Sequence, residues 1–546
     1  MYDLIVIGGG LTGCGIARDA AMRGLKVLLL EKEDFGSGAS GADTPILHAP
    51  RRALFDDFSL LRSFCSESGI LQKIASHLTF RIPCLLPVFR KREKSLFRGK
   101  IDLEKAEVFF EARDRYAFLR NGEPPARLSG EDVLALEPEM SSQVIGAVSF
   151  DEWGVDLGRL TLLNALSAHE NGAVLKNHAE VVEVLRDHGR VVGVLYRDLL
   201  TGKKGEARAS MTLNAAGPWA ARIGEMAGAE ARLRSLKTVH LSFDRRLTNA
   251  AVATKAIDGR WIFLAPNRNE TLLGAAERDF FGDPDEVSVT EDEVEYLLGA
   301  AEEIFPKLRE ARVVRAWAGI QPFPFEGECG SGELKGGYEI FDHETRDGVS
   351  GFLSVVGGEA VNFRERSEEA VDLACRKLGV PAFCKTLLKP LPGSEAVLKP
   401  EEVAKKFEIP AFAAARLVSL YGTRTVDVLR LCASRPWERN LLCSGEAILE
   451  AEIRYAIRHE WARTLEDLSR RTHLALGPCQ GADCLTGAAQ IFGEELGLAP
   501  KQVFAQMRSF LEKRWRERRR ALKGASLRQE ELTRSIFLNL SGLHFE

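Results

Sequence analysis

Gly8, Gly10 and Gly13 stand in the order G-x-G-x-x-G, directly after the apolar run Leu4–Ile7. A turn without side chains lets a pyrophosphate come close to the backbone. The following helix N-terminus then offers free N–H groups and the positive end of its macrodipole to the anion. Glu31 closes a second apolar run, Lys26–Leu30, at the offset of about 20 residues where a carboxylate takes the ribose hydroxyls. Strand, turn, helix, strand and acid arrive in the order of a dinucleotide site. Its position at the N-terminus predicts FAD rather than NAD.

The elements that must hold this site are legible around it. The spacing predicts a strand over Leu4–Ile7, a helix over Cys14–Arg23 and a second strand over Lys26–Leu30. A Gly/Ser/Ala segment then runs from Lys32 to His48, too rich in small residues for regular structure and suited to passing close to a bound cofactor. A mostly helical stretch is expected to about Ala117, interrupted by an apolar and basic loop near Pro83–Arg98. That loop reads as solvated with a few core anchors, or as a segment resting on anionic lipid.

Val174–Tyr196 reads as a hairpin, and Thr212–Trp219 as a buried strand ending in small residues. Strands dominate from about Arg232 to Arg315, with a helix at Asp292–Ile304. Phe352–Gly358 is a further strand that ends in a glycine pair ahead of a helix, Asn362–Leu378. That helix would aim its positive end at a flavin carbonyl. After Leu391-Pro-Gly-Ser394 the composition turns to Ala, Glu, Arg and Leu at helical spacing. Helices are expected at Pro400–Phe407, Ala411–Tyr421, Thr423–Cys432, Glu450–Arg458, Thr464–Arg471, Gly487–Leu496 and Pro500–Leu522. The basic stretch Glu512–Arg520 reads as a solvated face, or as a contact for a membrane or partner.

At 546 residues the chain is too long for one core. A net charge of −4 gives no reason to invoke nucleic acid. No apolar run has the length of a membrane span, and the N-terminal run is a strand rather than a signal peptide. Ten scattered cysteines suit reduced thiols in a cytoplasmic protein. The fold class expected is an α/β, Rossmann-like FAD-binding domain with an antiparallel β substrate domain and an α-helical C-terminal domain. The FAD part would be built from about 1–80, 145–225 and 350–390. The cap would come from about 81–144 and 226–349, and the helical domain from 391–546.

With these residues placed, the chain resembles the FAD-dependent, membrane-associated glycerol-3-phosphate dehydrogenases along nearly all its length. The resemblance rests on the glycine motif, His48, Asp151-Glu-Trp-Gly-Val-Asp156 with Arg159, Asn214-Ala-Ala-Gly-Pro-Trp219 and Lys237-Thr-Val-His240. It continues through Trp317-Ala-Gly-Ile-Gln-Pro322, Val356-Gly-Gly-Glu359, Leu391-Pro-Gly-Ser394, Glu450–Tyr455 and Asp467–Thr472. Gly477–Cys484 is similar to the large subunit of the anaerobic members. A D-amino-acid-oxidase-like FAD fold is implied.

So is oxidation of the secondary alcohol of glycerol 3-phosphate, with hydride passing to flavin N5 and electrons to quinone or a partner subunit, on the inner face of a membrane. The FAD contacts implied are Gly8, Gly10, Leu11, Thr12, Gly13, Glu31, Lys32, Ser40, Thr44, His48, Val181, Ala216, Gly217 and the run Gly357, Gly358, Glu359, Ala360, Val361, Asn362. His240 matches the position of a base, with His48, Arg52 and Lys237 as further catalytic candidates.

The departures fall on the substrate side. Ala49-Pro50 replaces two family glycines, and Ala53 a tyrosine. Gln321 stands where the family has an arginine, a second clamping arginine falls near Gly336 beside Lys335, and Glu359 stands where the family has a lysine. A phosphate dianion held by such cations gains about 1.5–3 kcal/mol per charged contact, so this pocket is expected to hold it poorly unless Lys237 and Arg364 compensate. A non-phosphorylated hydroxy or amino substrate, or an electron-transfer role without glycerol 3-phosphate activity, are the alternative readings.

The anaerobic relatives also imply a four-thiolate [2Fe–2S] centre. Here Cys479 and Cys484 keep one half of the pattern and Cys443 one thiolate of the other, with Gly445 at the fourth position. Ser444 and Cys432 are conceivable substitutes. Either a cluster or an iron-free remnant fits the sequence.

Overall fold

The computed structural model describes residues 1–47, 58–90, 103–108, 110, 119, 121–256, 258–325, 337–433 and 435–540. His48, Ala49, Pro50, Arg52, Ala53, Lys335 and Gly336 lie outside the described residues.

The first strand, Tyr2–Ile7, pairs in parallel with Val27–Leu30 on one side and Lys204–Asn214 on the other. Such a strand is covered on both faces, which is why it reads as an unbroken apolar run. Leu4, Ile5 and Val6 have no accessible surface. Phe352–Gly357 and Tyr338–Asp342 extend the sheet beyond Lys204–Asn214, and Val174–Lys176 extends it beyond Val27–Leu30. The hairpin Ala179–Asp187 and Arg190–Asp198 attaches to Lys204–Asn214. The helix after the glycine turn spans Leu11–Met22. It begins three residues earlier than expected because Gly10 itself is its N-cap.

A second, mostly antiparallel sheet carries the long pair Leu233–Phe243 and Val313–Pro324. The helix Glu291–Glu302 covers its apolar face, where Val239, Leu241 and Phe243 are buried with Val294 and Leu297.

Two sequence expectations fail here. The loop expected near Pro83 is the strand Thr79–Phe89, paired along its length with Val144–Val155. Among the described residues its other edge pairs only at Cys84 and Leu85, so Pro83 and Pro87 flank that short ladder and cost it no bond. The Gly/Ser segment is not irregular throughout. Ala39–Ala42 forms one helical turn, tight enough that a Cβ on Gly41 would come within 2.2 Å of the Gly36 carbonyl.

The C-terminal region is helical, as its spacing predicts, from Pro400–Phe407 to Pro500–Arg519. A last helix, Gly524–Leu540, was not foreseen. Buried ion pairs fasten this region to the first sheet. Arg471 bonds both carboxylate oxygens of Asp34 at 2.5 and 2.6 Å, and Arg159 clasps Glu460 at 2.9 and 3.0 Å. Arg471 and Arg470 hold the Asp34 carboxyl below the ordinary carboxylate range against the opposing effect of burial. The segment Asp467–Thr472 is thus a fastening. Among the described residues no helix is long and apolar enough to cross a membrane.

Candidate flavin cleft and substrate face

A cleft opens at the C-terminal ends of the parallel strands, where an open α/β sheet holds its ligand. Gly8, Gly10, Leu11, Thr12, Glu31, Lys32, Ser40, Val181, Ala216, Gly217, Gly357, Gly358, Glu359 and Ala360 all line it. The antiparallel sheet closes it from above with Thr238, Gly319 and Gln321.

The helix Leu11–Met22 has no side-chain cap and no acidic residue in its first turn. Its N-terminus therefore offers N–H groups and partial positive charge to a pyrophosphate. Leu11 donates its N–H to Ser40 Oγ at 2.9 Å, which fixes the small-residue turn across the cleft. A Cβ on Gly10 would meet only Ser40 Oγ, at 3.3 Å, so backbone is open to a ligand there. Gly8 has a different duty. Its φ of +105° and the Ala215 carbonyl, 2.5 Å from where a Cβ would stand, exclude any side chain.

Glu31 accepts the Gly9 N–H at 2.6 Å and the Glu33 N–H at 2.8 Å. Burial nevertheless raises its carboxyl above the ordinary value. At the same end, Lys32 lies 4.1 Å over the Trp219 ring and pairs with Asp285, which also accepts from Trp219 Nε1 at 2.9 Å. Arg222 joins through Asp283 and Asp285 at 2.9 Å. These contacts tie the first sheet's helix to the cap across the ribose end.

Several predicted contacts stand elsewhere. Gly13 faces away from the cleft: a Cβ there would come within 1.9 Å of the Gly8 carbonyl. Its role is close helix–strand packing rather than contact with pyrophosphate. Thr44 and Val361 are buried outside the lining, and Asn362 sits behind it. Asn362 Oδ1 accepts the Glu359 N–H at 3.0 Å and so shapes the glycine loop.

Arg366, which the sequence reading passed over, does line the cleft. Its guanidinium donates to Thr12 Oγ1 at 2.8 Å and to Asn362 Oδ1 at 3.2 Å, and burial pushes its pKa down to about 10. The signal for it was present, since it stands one turn into the helix that follows the glycine pair.

On the substrate side, Gln321 and Glu359 do meet. Gln321 Nε2 donates to Glu359 Oε2 at 3.0 Å. Lys237 and Arg364 do not compensate for the missing cations. Lys237 points to the opposite face of its strand and pairs with Glu293 at 2.7 Å, so it is not placed to act on a substrate in the cleft. Arg364 is buried against Glu67 and Glu368, at 2.5 and 2.6 Å.

His240 is on the cleft-facing side, two residues along from Thr238, but it is enclosed rather than lining. Its ring lies beside Trp317, centroids 5.5 Å apart, and Gly274 leaves the room it fills. Neither ring nitrogen has a partner among the described residues. Burial alone pushes its pKa down to about 4, so the imidazole is neutral at pH 7.

The chain matches known proteins over this whole arrangement. Residues 3–362 match the family described as FAD dependent oxidoreductase, and 384–503 match the C-terminal domain of alpha-glycerophosphate oxidase. One subunit of the anaerobic glycerol-3-phosphate dehydrogenase of Escherichia coli (strain K12) is 33% identical over 548 aligned positions, covering 100% of this chain and 97% of the relative. The chain belongs to the FAD-dependent glycerol-3-phosphate dehydrogenase family. It is an FAD-dependent oxidoreductase.

The same subunit from Haemophilus influenzae agrees, at 31% identity over 99% of this chain and 93% of that relative. The glycerol-3-phosphate dehydrogenase of Bacillus halodurans, solved in complex with FAD, superposes with a TM-score of 0.77 at 26% identity, covering 96% of each chain. Glycine oxidase from Geobacillus kaustophilus (TM-score 0.53, 21% identity, 71% of this chain and 98% of its own) shares the fold alone.

Of the cysteine positions, Cys443 and Cys484 come into contact. Cys443 and Cys484 are buried together, and the Cys484 thiol, donating to Cys443, holds that group below an ordinary thiol. Cys479 is exposed, and Cys432 belongs to a different apolar cluster. Among the described residues no three His, Cys, Asp or Glu side chains are arranged to hold a metal ion. The donor set therefore does not fit a four-thiolate cluster.

Proposed function

We propose that this family member oxidises a secondary alcohol, of the glycerol 3-phosphate type, at the face of the cleft bounded by Thr238, Gly319, Gln321 and Glu359. Bound FAD supplies the hydride acceptor. The chain's own part is to hold the cofactor's anionic centre at the uncapped helix and at Arg366, and to keep the reacting face dry beneath the antiparallel sheet. His240 takes the hydroxyl proton: it lies on the cleft-facing side, neutral, with two unpartnered ring nitrogens. A shift of Trp317 or of the ring itself is needed to bring a nitrogen to the substrate. Electrons then pass to a quinone or to another protein of a complex. The E. coli relative's designation as one subunit of its enzyme supports the latter.

The observation that carries this reading is the cleft itself. A flavin-type site is closed by the same strand pair that carries His240 and Gln321.

One observation favours a second reading. The Gln321–Glu359 pair puts a carboxylate where a phosphate clamp is expected, which suits an uncharged or cationic hydroxy or amino compound. An anaerobic titration of the FAD-loaded protein decides between them. Bleaching of the flavin by sn-glycerol 3-phosphate supports the first reading, and bleaching only by neutral polyols or amines the second. No bleaching by any member of the panel would leave an electron-transfer role.

A further inference from the structure

A second cavity, about 840 Å³, lies behind the small-residue turn that borders the flavin cleft. Ser40, Ala42 and Asp43 line both spaces. Its walls come from all three parts of the chain: that turn, the antiparallel sheet and the C-terminal helices.

Six guanidiniums reach the cavity, and most are already neutralised from behind. Arg315 pairs with Glu270 at 2.6 Å, Arg416 with Glu452 at 2.6 Å, and Arg470 with Asp34 at 2.7 Å. Arg518 pairs with Glu530. Two are left. Arg514 bonds only neutral oxygens, the Ala475 carbonyl at 2.5 Å and Ser469 Oγ at 2.8 Å. No carboxylate lies within 4.0 Å of it among the described residues. Arg268 stands 3.7 Å from Asp156 and 3.5 Å from Glu446, longer than charged hydrogen bonds.

Arg268 also sits at the tip of the hairpin between Trp261–Asn267 and Glu270–Gly274, at a φ of +56°. Near Arg514, Glu466 and Glu517 line the cavity without a cation within 4.0 Å among the described residues. Asp156 is committed to His473 at 2.6 Å.

We infer that this cavity is a second ligand site for a phosphorylated polyol or sugar, with Arg268 and Arg514 taking the phosphate and Glu466 and Glu517 accepting from hydroxyls. A guanidinium held only by neutral oxygens, as Arg514 is, gains a charged partner when a dianion binds beside it. The neighbouring carboxylates select a ligand that also donates hydrogen bonds. The site is separate from the substrate face at Gln321 and Glu359, and it does not depend on which alcohol the flavin oxidises.

Calorimetric titration of the FAD-loaded protein with glycerol 2-phosphate, which has no free secondary alcohol, tests this inference. One saturable site is expected, weakened at least tenfold by Arg514→Gln and by Arg268→Gln at unchanged flavin content. Glu466→Gln should weaken glycerol 2-phosphate more than inorganic phosphate. Should Arg268→Gln fail to fold, Arg268→Lys keeps the charge without the fork and is expected to weaken binding less than Arg514→Gln. The inference is overturned if no saturable binding occurs, or if both arginine variants bind like the wild type. It is also overturned if Glu359→Gln, rather than the arginine variants, changes the affinity, since the ligand would then sit at the flavin face.

Discussion

Gln321 Nε2 and Glu359 Oε2, 3.0 Å apart, join the strand Val313–Pro324 to the loop that follows Phe352–Gly357. The bond closes the substrate face with an amide and a carboxylate from opposite sides of the cleft. Replacing both by cations, Gln321→Arg with Glu359→Lys, should tighten phosphorylated substrates by roughly 10- to 100-fold, taking about 1.5–3 kcal/mol per charged contact and discounting one for imperfect geometry. Binding of amines should weaken. The concentration dependence of anaerobic flavin reduction measures both. Efficient wild-type reduction by glycerol 3-phosphate, with a KM in the sub-millimolar range usual for enzymes, would sink the altered-substrate reading.

His240→Asn should keep the flavin and slow its reduction by about 10²- to 10⁴-fold, the usual worth of a general base. Stopped-flow absorbance at the flavin band follows this step. An unchanged reduction rate would move the base elsewhere, to His48 first.

His240 and His77 also set a pH dependence of stability. Burial pushes both down to about 4 from an ordinary value of 6.5. Between these values the unfolded chain binds more protons than the folded one, so stability rises with pH through that window. The contribution is full above pH 6.5 and is lost as pH falls towards 4. Thermal unfolding from pH 7 to 4 should show a falling Tm, with a shallower slope in His77→Gln. Parallel curves for the two proteins would mean that His77 is not held neutral.

Gly13→Ala should loosen the helix against its strand, because the added carbon would sit 1.9 Å from the Gly8 carbonyl. Overpacking of this kind costs about 1–3 kcal/mol. The expected result is a lower Tm with reduced flavin content, read from the ratio of flavin to protein absorbance. Retention of both would show that the helix can shift freely.

Arg366→Met keeps the apolar stem but removes the donors to Thr12 and Asn362. Flavin affinity should fall at least tenfold, since one charge-assisted contact is worth about 1.5–3 kcal/mol. Fluorescence of released flavin on dilution checks this. Equal release from wild type and variant would assign Arg366 to the scaffold alone.

The glycine turn, Glu31, the glycine pair at 357–358 and the C-terminal helices up to Arg519 are local patterns, and the sequence alone determined them. A strand-to-helix turn needs glycines at fixed offsets whatever lies around it, and helical periodicity repeats within a few turns. The pairing of Gln321 with Glu359 was foreseeable only as two substitutions at one face. Their contact needed the fold to bring positions 38 residues apart to 3.0 Å.

Tertiary structure decided the rest. It made Thr79–Phe89 a strand despite two prolines, because among the described residues only Cys84 and Leu85 pair on its second edge. It turned Lys237 away from the cleft, since side chains alternate across a strand and register fixes which face is buried. Arg514 lies in a basic helical stretch that reads as solvated, yet it bonds Ser469 and the Ala475 carbonyl. A cation's surroundings are set by which elements pack over it, and those lie tens or hundreds of residues away along the chain.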